Sequence, residues 1–359
     1  MPEVKLLDLS GDARMRGEAH GEALRDEVGA GVERWRDEMN AIQPLDPDAF
    51  IEHIQTTTQF MQTVERYAPD LLDEVRGIAV GANLDFDTIF AFQLLDECWW
   101  LAAQLSRDAK PRESCSSLAL GDVDGSPLAA QTMDLPLHYD GGQALLRFKD
   151  PVSGTRQIVF TVAGLVGLNG LNDRRLAVCV NTLSELACSR RGLPVAFVLR
   201  SLLARPNLAS AVEFVESTQH ASGQNYLLAS PEGIVDIEAG AESITHHRTN
   251  GADIVYHTNH VLADPLLENK TTSADENSIA GPNSSRRLEA MARFFKLHPH
   301  PDLQAIKSLL ASADGPICAP HNSGHGFTYG ACIMTLGEKP LLQVTHGPPT
   351  TSSFVQHAL

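Results

Sequence analysis

Cys115 stands in RESCSSLALGD, residues 112–122, between a charged, polar flank and a short apolar run. Cys98, Cys179 and Cys332 sit among apolar neighbours, where a thiol packs as a small hydrophobe. Cys115 does not share that setting. The turn residues GDVDGS follow at 121–126, and QTMD ends on Asp134 along what reads as the returning strand. Such a hairpin would bring Asp134 back near Cys115. That placement makes Cys115 the candidate functional cysteine of the six. Asp134 as a strand-end turn former is the alternative.

Two histidine pairs suggest metal chemistry: His257 and His260 in HTNH, and His321 and His325 in HNSGH. The second pair has i, i+4 spacing, but Ser-Gly lies between its members and argues against a helix. No carboxylate completes a zincin pattern, so these read as ordinary loop histidines, with a metal hydrolase as an outside alternative. The glycine-rich GGQ and GLVGLNG match no phosphate loop and are assigned to turns. The six cysteines are scattered with no C-x-x-C pair, which predicts neither a disulfide framework nor a zinc knuckle.

The elements that must position these residues change in texture along the chain. Residues 12–105 mix charges with apolar residues at helical spacing, with Asp46 as an expected N-cap and Pro47 in the first turn. From Cys115 onward come short apolar runs separated by turn signals: CSSLAL, PLAAQTM, ALLRFK, RQIVFTVA and LAVCVNT. Helices are predicted at PVAFVLRSLLA and NLASAVEFVEST, then strands at QNYLLAS, GIVDIEAG and DIVYHTN, the first two joined by SPEG. SSRRLEAMARFFKLH and DLQAIKSLLAS read as helices, the former capped by Ser284 or Ser285. TYGACIMTL and PLLQVTH close the chain as strands. This order suits an antiparallel α+β layered domain better than an alternating parallel fold. The longest loop-like stretch, Leu262–Asn283, is expected to serve as a lid or binding loop.

Charge narrows the partners. The formal net charge is −17, and residues 1–114 carry 23 acidic against 11 basic side chains. An acidic chain repels phosphate backbones and anionic lipid, which argues against nucleic acid and membrane surfaces. The N-terminus has no apolar core of a secretory signal, and a cytoplasmic location is expected.

Several motifs occur in a telling order: RGEAHG, the Cys-Ser-Ser strand, AAQTMDLP, GLNDRRLAVCVNTL, LPVAFVLRSLL, NYLLASPEGIVDIE, YHTNH, SSRR and THGPP. Together they resemble the acyl-coenzyme A:6-aminopenicillanic acid acyltransferase family, the isopenicillin N acyltransferase-like group of N-terminal nucleophile (Ntn) hydrolases. The resemblance runs from about Arg16 to Pro349. It implies a four-layer αββα sandwich, with two antiparallel sheets between helical layers. It implies self-cleavage of the Ser114–Cys115 bond, giving an α segment, 1–114, that stays bound to a β segment, 115–359, and no cofactor. A further homo-oligomer is left open.

In this likeness Cys115 is the nucleophile, and its freed α-amino group is the general base. Asp134 orients that amine. Asn259 donates to the oxyanion, and Asn181 resembles a second polar residue beside it. Arg287, three after Ser284, resembles the S-x-x-R arginine near the site, although Arg286 is adjacent. Bland readings stand beside these: an Asx-turn for Asn259 and a solvated helix face for the arginines. Ser114 departs from the glycine that the family commonly has before the nucleophile. That departure motivates a second hypothesis, an uncut, non-catalytic relative that binds a small amide.

Overall fold

The computed structural model describes residues 4–106, 114–247, 253–263, 281–312, 315, 317–321 and 326–359. Hairpin chemistry sets the strand that matters most. Asp124 and Gly125 both take positive φ, 53° and 88°. That is the Asp-Gly signature of a tight turn whose twist matches the flanking strands. It folds β2 (Ser116–Val123) back on β3 (Ser126–Leu135), with Ser116 opposite Thr132. The pair sits in a six-stranded sheet of order β11 (Ile254–His257), β2, β3, β12 (Phe327–Thr335), β13 (Leu341–Val344), β14 (Val355–Ala358).

The other sheet has eight strands, in the order β1 (Lys5–Leu9), β4 (Gln143–Lys149), β5 (Arg156–Val162), β6 (Asn169–Asn172), β7 (Ala177–Thr182), β8 (Gln224–Ser230), β9 (Gly233–Ala239), β10 (Ile244–His247). Every neighbouring pair in both sheets is antiparallel except β1 with β4, which is parallel.

The two-residue period of a strand sorts the side chains of the hairpin into two cores. Cys115, Ala119, Ala129, Met133 and Leu135 belong to the core shared with the larger sheet. Leu118, Leu120, Leu128 and Ala130 turn the other way. They meet Met291 and Phe295 of α10 (Gly281–Leu297) and Ile306, Leu309 and Leu310 of α11 (Leu303–Leu310). The larger sheet carries α8 (Val195–Leu203) on β6 and β7, and α9 (Leu208–Ser217) on β8 and β9. Two sheets face each other between helical layers, the α+β sandwich that the resemblance implies.

Among the described residues seven helices precede the hairpin: α1 (Ala13–Ala23), α2 (Arg25–Ile42), α3 (Pro47–Thr57), α4 (Phe60–Tyr67), α5 (Pro69–Ala82), α6 (Phe86–Phe92) and α7 (Leu95–Leu105). Asp46 caps α3 through the Ala49 N–H, with Pro47 at its first position. The RGEAHG motif turns out to do architectural work. A Cβ at Gly17 would lie 1.9 Å from the Glu74 carbonyl oxygen, so α1 and α5 touch backbone to backbone. Its neighbour Arg16 reaches the buried Glu74, 3.4 Å away. Glu74 also holds Arg200 of α8 through two bonds of 2.8 and 3.1 Å. His20 Nε2 accepts from the Gly164 N–H at 3.0 Å.

Gly17→Ala is therefore expected to destabilise the fold by about 1–3 kcal/mol or more, since neither backbone can yield. Urea unfolding measures it, and an unchanged midpoint would contradict the seam.

Three sequence expectations need correction. GLVGLNG is not all turn, because Asn169–Asn172 forms β6. Neither Ser284 nor Ser285 caps a helix, because α10 begins at Gly281. The Leu262–Asn283 stretch is not loop to its end, since α10 takes its last residues, and positions 264–280 lie outside the described residues. His325 also lies outside them.

Candidate active site

Cys115 precedes β2 by one residue and is 6% exposed, in no disulfide. The hairpin does return Asp134 to it: the Ser114 N–H points at the Asp134 carbonyl oxygen, 3.5 Å away. The Asp134 side chain is buried. Its Oδ1 accepts from Thr328 Oγ1 at 2.6 Å, from the register partner on β12. Its Oδ2 is buried with no hydrogen-bond partner. Burial pushes Asp134 up to about 7, against the opposing pull of the Thr328 bond and the Arg287 charge.

Arg287 ties the site together. It is 1% exposed, whereas Arg286 faces solvent, so the ambiguity between them is resolved. The solvated-face reading fails for Arg287. Its Nη1 donates to the Cys115 carbonyl oxygen and, at 2.9 Å, to Ser116 Oγ. Its Nη2 donates to Asn259 Oδ1 at 3.0 Å. Burial pulls its pKa down, and the facing Asp134 and Cys115 act in the other direction. The i, i+3 spacing of a helix puts Ser284 on the same side as Arg287. Ser284 Oγ accepts from the Asn259 N–H at 2.8 Å, so α10 grips Asn259 by both backbone and side chain.

Asn259 Nδ2 donates to the Thr182 carbonyl oxygen at 3.1 Å, which leaves one amide proton of that group for another acceptor. Asn181, buried on β7, accepts from Ser117 Oγ at 2.6 Å and from Asn225 Nδ2 at 3.4 Å. Its own Nδ2 is buried and undonated. The structure thus gathers Ser114, Cys115, Asp134, Asn259 and Arg287 at one end of the β2–β3 hairpin, with Asn181 linked through Ser117.

The histidines do something else. His257 Nε2 meets Glu238 Oε1 at 2.8 Å and its Nδ1 meets the Thr258 carbonyl oxygen at 2.7 Å. Both partners are acceptors, so both ring nitrogens carry protons. Burial opposes that charge, but Asp236 and Glu238 outweigh it and the pKa rises. Asp236, His247 and His257 lie close enough to hold a cation, yet His257 so bonded offers no lone pair. His260 is lowered to about 4, first by burial and then by the His257 and Arg287 charges. Its Nδ1 lies 2.7 Å from Ser284 Oγ. His321 is exposed and pairs with Asp140 at 3.3 Å.

Sequence reasoning missed Thr328, Asp96 and Gln224. Nothing local marks Thr328; only strand register places it opposite Asp134. Asp96 looks like an ordinary residue in the first turn of α7. It lines a cavity of about 30 Å³ together with Cys115, Gln131, Met133, Leu135, Leu168, Val180, Thr182, Leu199 and Gln224.

Residues 142–328 match the family model of acyl-coenzyme A:6-aminopenicillanic acid acyl-transferase, and the chain belongs to that family. It is an enzyme of that acyl-transferase family. The matched span holds Asn181, Asn259 and Arg287; Cys115 and Asp134 precede it. Among solved structures, penicillin V acylase from Agrobacterium tumefaciens is similar at 13% identity and TM-score 0.42, over 68% of this chain and 86% of that one. Two variants of conjugated bile acid hydrolase from Clostridium perfringens are similar at 12% identity and TM-score 0.46, over 68% of this chain and 92% of theirs. Among the described residues no helix is long and apolar enough to cross a membrane.

Proposed function

We propose that the chain is a cysteine Ntn hydrolase that cuts itself between Ser114 and Cys115 and then cleaves small N-acyl amides through a Cys115 acyl-enzyme. One observation carries the reading. The only carboxylate oxygen of Asp134 left without a partner is buried where the hairpin brings Asp134 beside the 114–115 peptide. A buried acceptor with no donor costs roughly 1–3 kcal/mol, and an α-ammonium released at Cys115 would supply the donor.

The cut proceeds by attack of the Cys115 thiol on the Ser114 carbonyl carbon. The Ser114–Cys115 C–N bond breaks, the nitrogen takes a proton, and a thioester links Ser114 to Sγ. Water hydrolyses the thioester, leaving a Ser114 carboxylate, a free thiol and a free amine. That amine, of ordinary pKa just below 8, then takes the thiol proton in each turnover. The thiolate adds to the substrate carbonyl. The remaining Nδ2 proton of Asn259 and the undonated Nδ2 of Asn181 are the donors available to the oxyanion. A donor so placed contributes about 100-fold or more. Arg287 holds Asn259 and the Cys115 carbonyl in position.

Serine in place of glycine before the nucleophile does not oppose the reading. Among the described residues the non-glycine positions with positive φ are Asn83, Asp124 and Arg175, so Ser114 carries no left-handed strain. The two segments have reason to stay together after a cut. β1 is hydrogen-bonded into the larger sheet beside β4, and Glu74 bridges to Arg200. Hydrolysis is favoured over transfer from coenzyme A, because among the described residues no Lys or Arg lines the cavity at Cys115.

Mass spectrometry of the denatured protein is expected to show two chains, the larger beginning at Cys115, and the native protein to release amine from N-acyl amides. A single intact 38.9 kDa chain that hydrolyses no amide would sink the proposal.

A further inference from the structure

We infer that the enzyme selects a short acyl group that ends in an ammonium, held by Asp96, which lines the same cavity as Cys115. The inference rests on the amide-hydrolase reading above and adds the acyl class to it.

The cavity supplies three constraints. The first is size. At about 30 Å³ it has room for two or three water-sized groups, at roughly 10–15 Å³ each. That room matches a short acyl chain rather than a long alkyl or aromatic one. The second is its wall: Leu95, Met133, Leu135, Leu168, Val180 and Leu199 make most of the lining apolar, which suits methylene groups.

The third is the polarity of what remains. Asp96 is 7% exposed. Its Oδ2 accepts from Thr182 Oγ1 at 2.9 Å and from Gln224 Nε2. Its Oδ1 takes no hydrogen bond and is not among the fully covered unpaired atoms, so it is reachable from the cavity it lines. Gln224 is 1% exposed and its Oε1 has no partner either. The amide orientation is fixed, since Nε2 already donates to Asp96 and to Ser222 Oγ at 3.1 Å. Gln131, the other polar side chain there, has its Nε2 engaged by the Val180 carbonyl oxygen and its Oε1 by Asn169 and the Val180 N–H.

The cavity thus offers one open acceptor, the acidic Asp96 Oδ1, since Gln224 Oε1 is fully covered, and among the described residues no Lys, Arg or His lines it. A ligand group that satisfies Asp96 must bring a donor, and a positive charge suits it. An ammonium has three donors and no acceptor. A carboxylate-ended acyl group would meet Asp96 as a like charge, and a neutral methyl would leave Asp96 Oδ1 unpaired. Sites built around such groups reject the isostere that lacks the donor far more strongly than apolar pockets reject an extra methylene.

The experiment compares two near-isosteric anilides with the whole enzyme, 3-aminopropanoyl 4-nitroanilide and butanoyl 4-nitroanilide, by release of 4-nitroaniline. The expected kcat/KM ratio is about 100-fold or more in favour of the amino compound. Asp96→Asn keeps the oxygen that Thr182 and Gln224 bond and turns an amide N–H₂ toward the cavity. It should erase that preference, bringing the amino-to-butanoyl kcat/KM ratio to about one. A wild-type ratio near one, or a ratio that Asp96→Asn leaves unchanged, overturns the inference and leaves the hydrolase reading standing. If neither anilide nor acetyl 4-nitroanilide is cleaved by protein cut at Cys115, both fall. Should Asp96→Asn fail to fold, the wild-type ratio alone decides.

Discussion

Cys115→Ala protein is expected to emerge as one uncut chain whose amide turnover is lower by about 10⁴-fold or more. Both losses come from one atom. In the proposed mechanism the thiol is the attacking group in the cut and in the acyl-enzyme, and the two hydroxyls that follow it are engaged elsewhere: Ser116 Oγ accepts from Arg287 and Ser117 Oγ donates to Asn181. Removing a nucleophile typically leaves only the residual catalysis of binding and oxyanion donors. The variant should fold, since Cys115 sits in a core of apolar side chains where a smaller group is tolerated at modest cost. Denaturing mass spectrometry and anilide hydrolysis read the two losses separately. A variant that is still cut at 114–115 would mean that some other group opens that peptide. A variant that is uncut yet retains wild-type turnover would move the nucleophile elsewhere.

How much of this was legible in the sequence depends on what each residue answers to. The hairpin was legible because Asp124-Gly125 is local chemistry, and a hairpin of known ends fixes which residues meet. Asp134 near Cys115 followed from that alone. The helical first third and the central strands were legible from apolar spacing. The strands that escaped are short: β6 is NGLN, polar and glycine-containing, and β10 and β14 are edge strands with half-exposed faces. They exist because a neighbour offers a free strand edge, which no local pattern records.

Arg287 shows the opposite limit. Two adjacent arginines on a helix look alike in sequence, and only the packing of α10 against β11 decides which one is buried. Asp96 was invisible for a similar reason. It lies about twenty residues before Cys115 in the chain, at the start of a helix where acidic residues are common. What makes it matter is the cavity, made by strands from both sheets and two helices. The glycines of RGEAHG were read as part of a likeness, and the structure gives them a cause in the α1–α5 seam.

Asp134→Asn separates the chemical role of that residue from its structural one, because the two predict opposite signs. In the uncut chain burial raises the Asp134 pKa from 3.8 to about 7. The native state therefore holds a proton that the unfolded chain has released over that range. Its contribution to stability is full below about pH 4, declines as pH rises, and is gone above about pH 7. Asparagine has no such proton and keeps the oxygen that Thr328 needs. Introduced into the uncut Cys115→Ala background, Asp134→Asn should gain stability relative to its parent between pH 5 and pH 8. Urea unfolding at the two pH values reads that gain, and a difference between the proteins that does not change with pH would contradict a protonated buried Asp134. With Cys115 present, the same substitution should slow the cut and lower turnover by about 100-fold or more, the usual scale for loss of a positioned proton-handling group. The released amine then meets a neutral amide instead of a carboxylate, so its own pKa falls and the acid limb of the pH–rate profile moves to lower pH. A variant that gains stability and keeps wild-type turnover with an unmoved acid limb would leave Asp134 as a strand residue and nothing more.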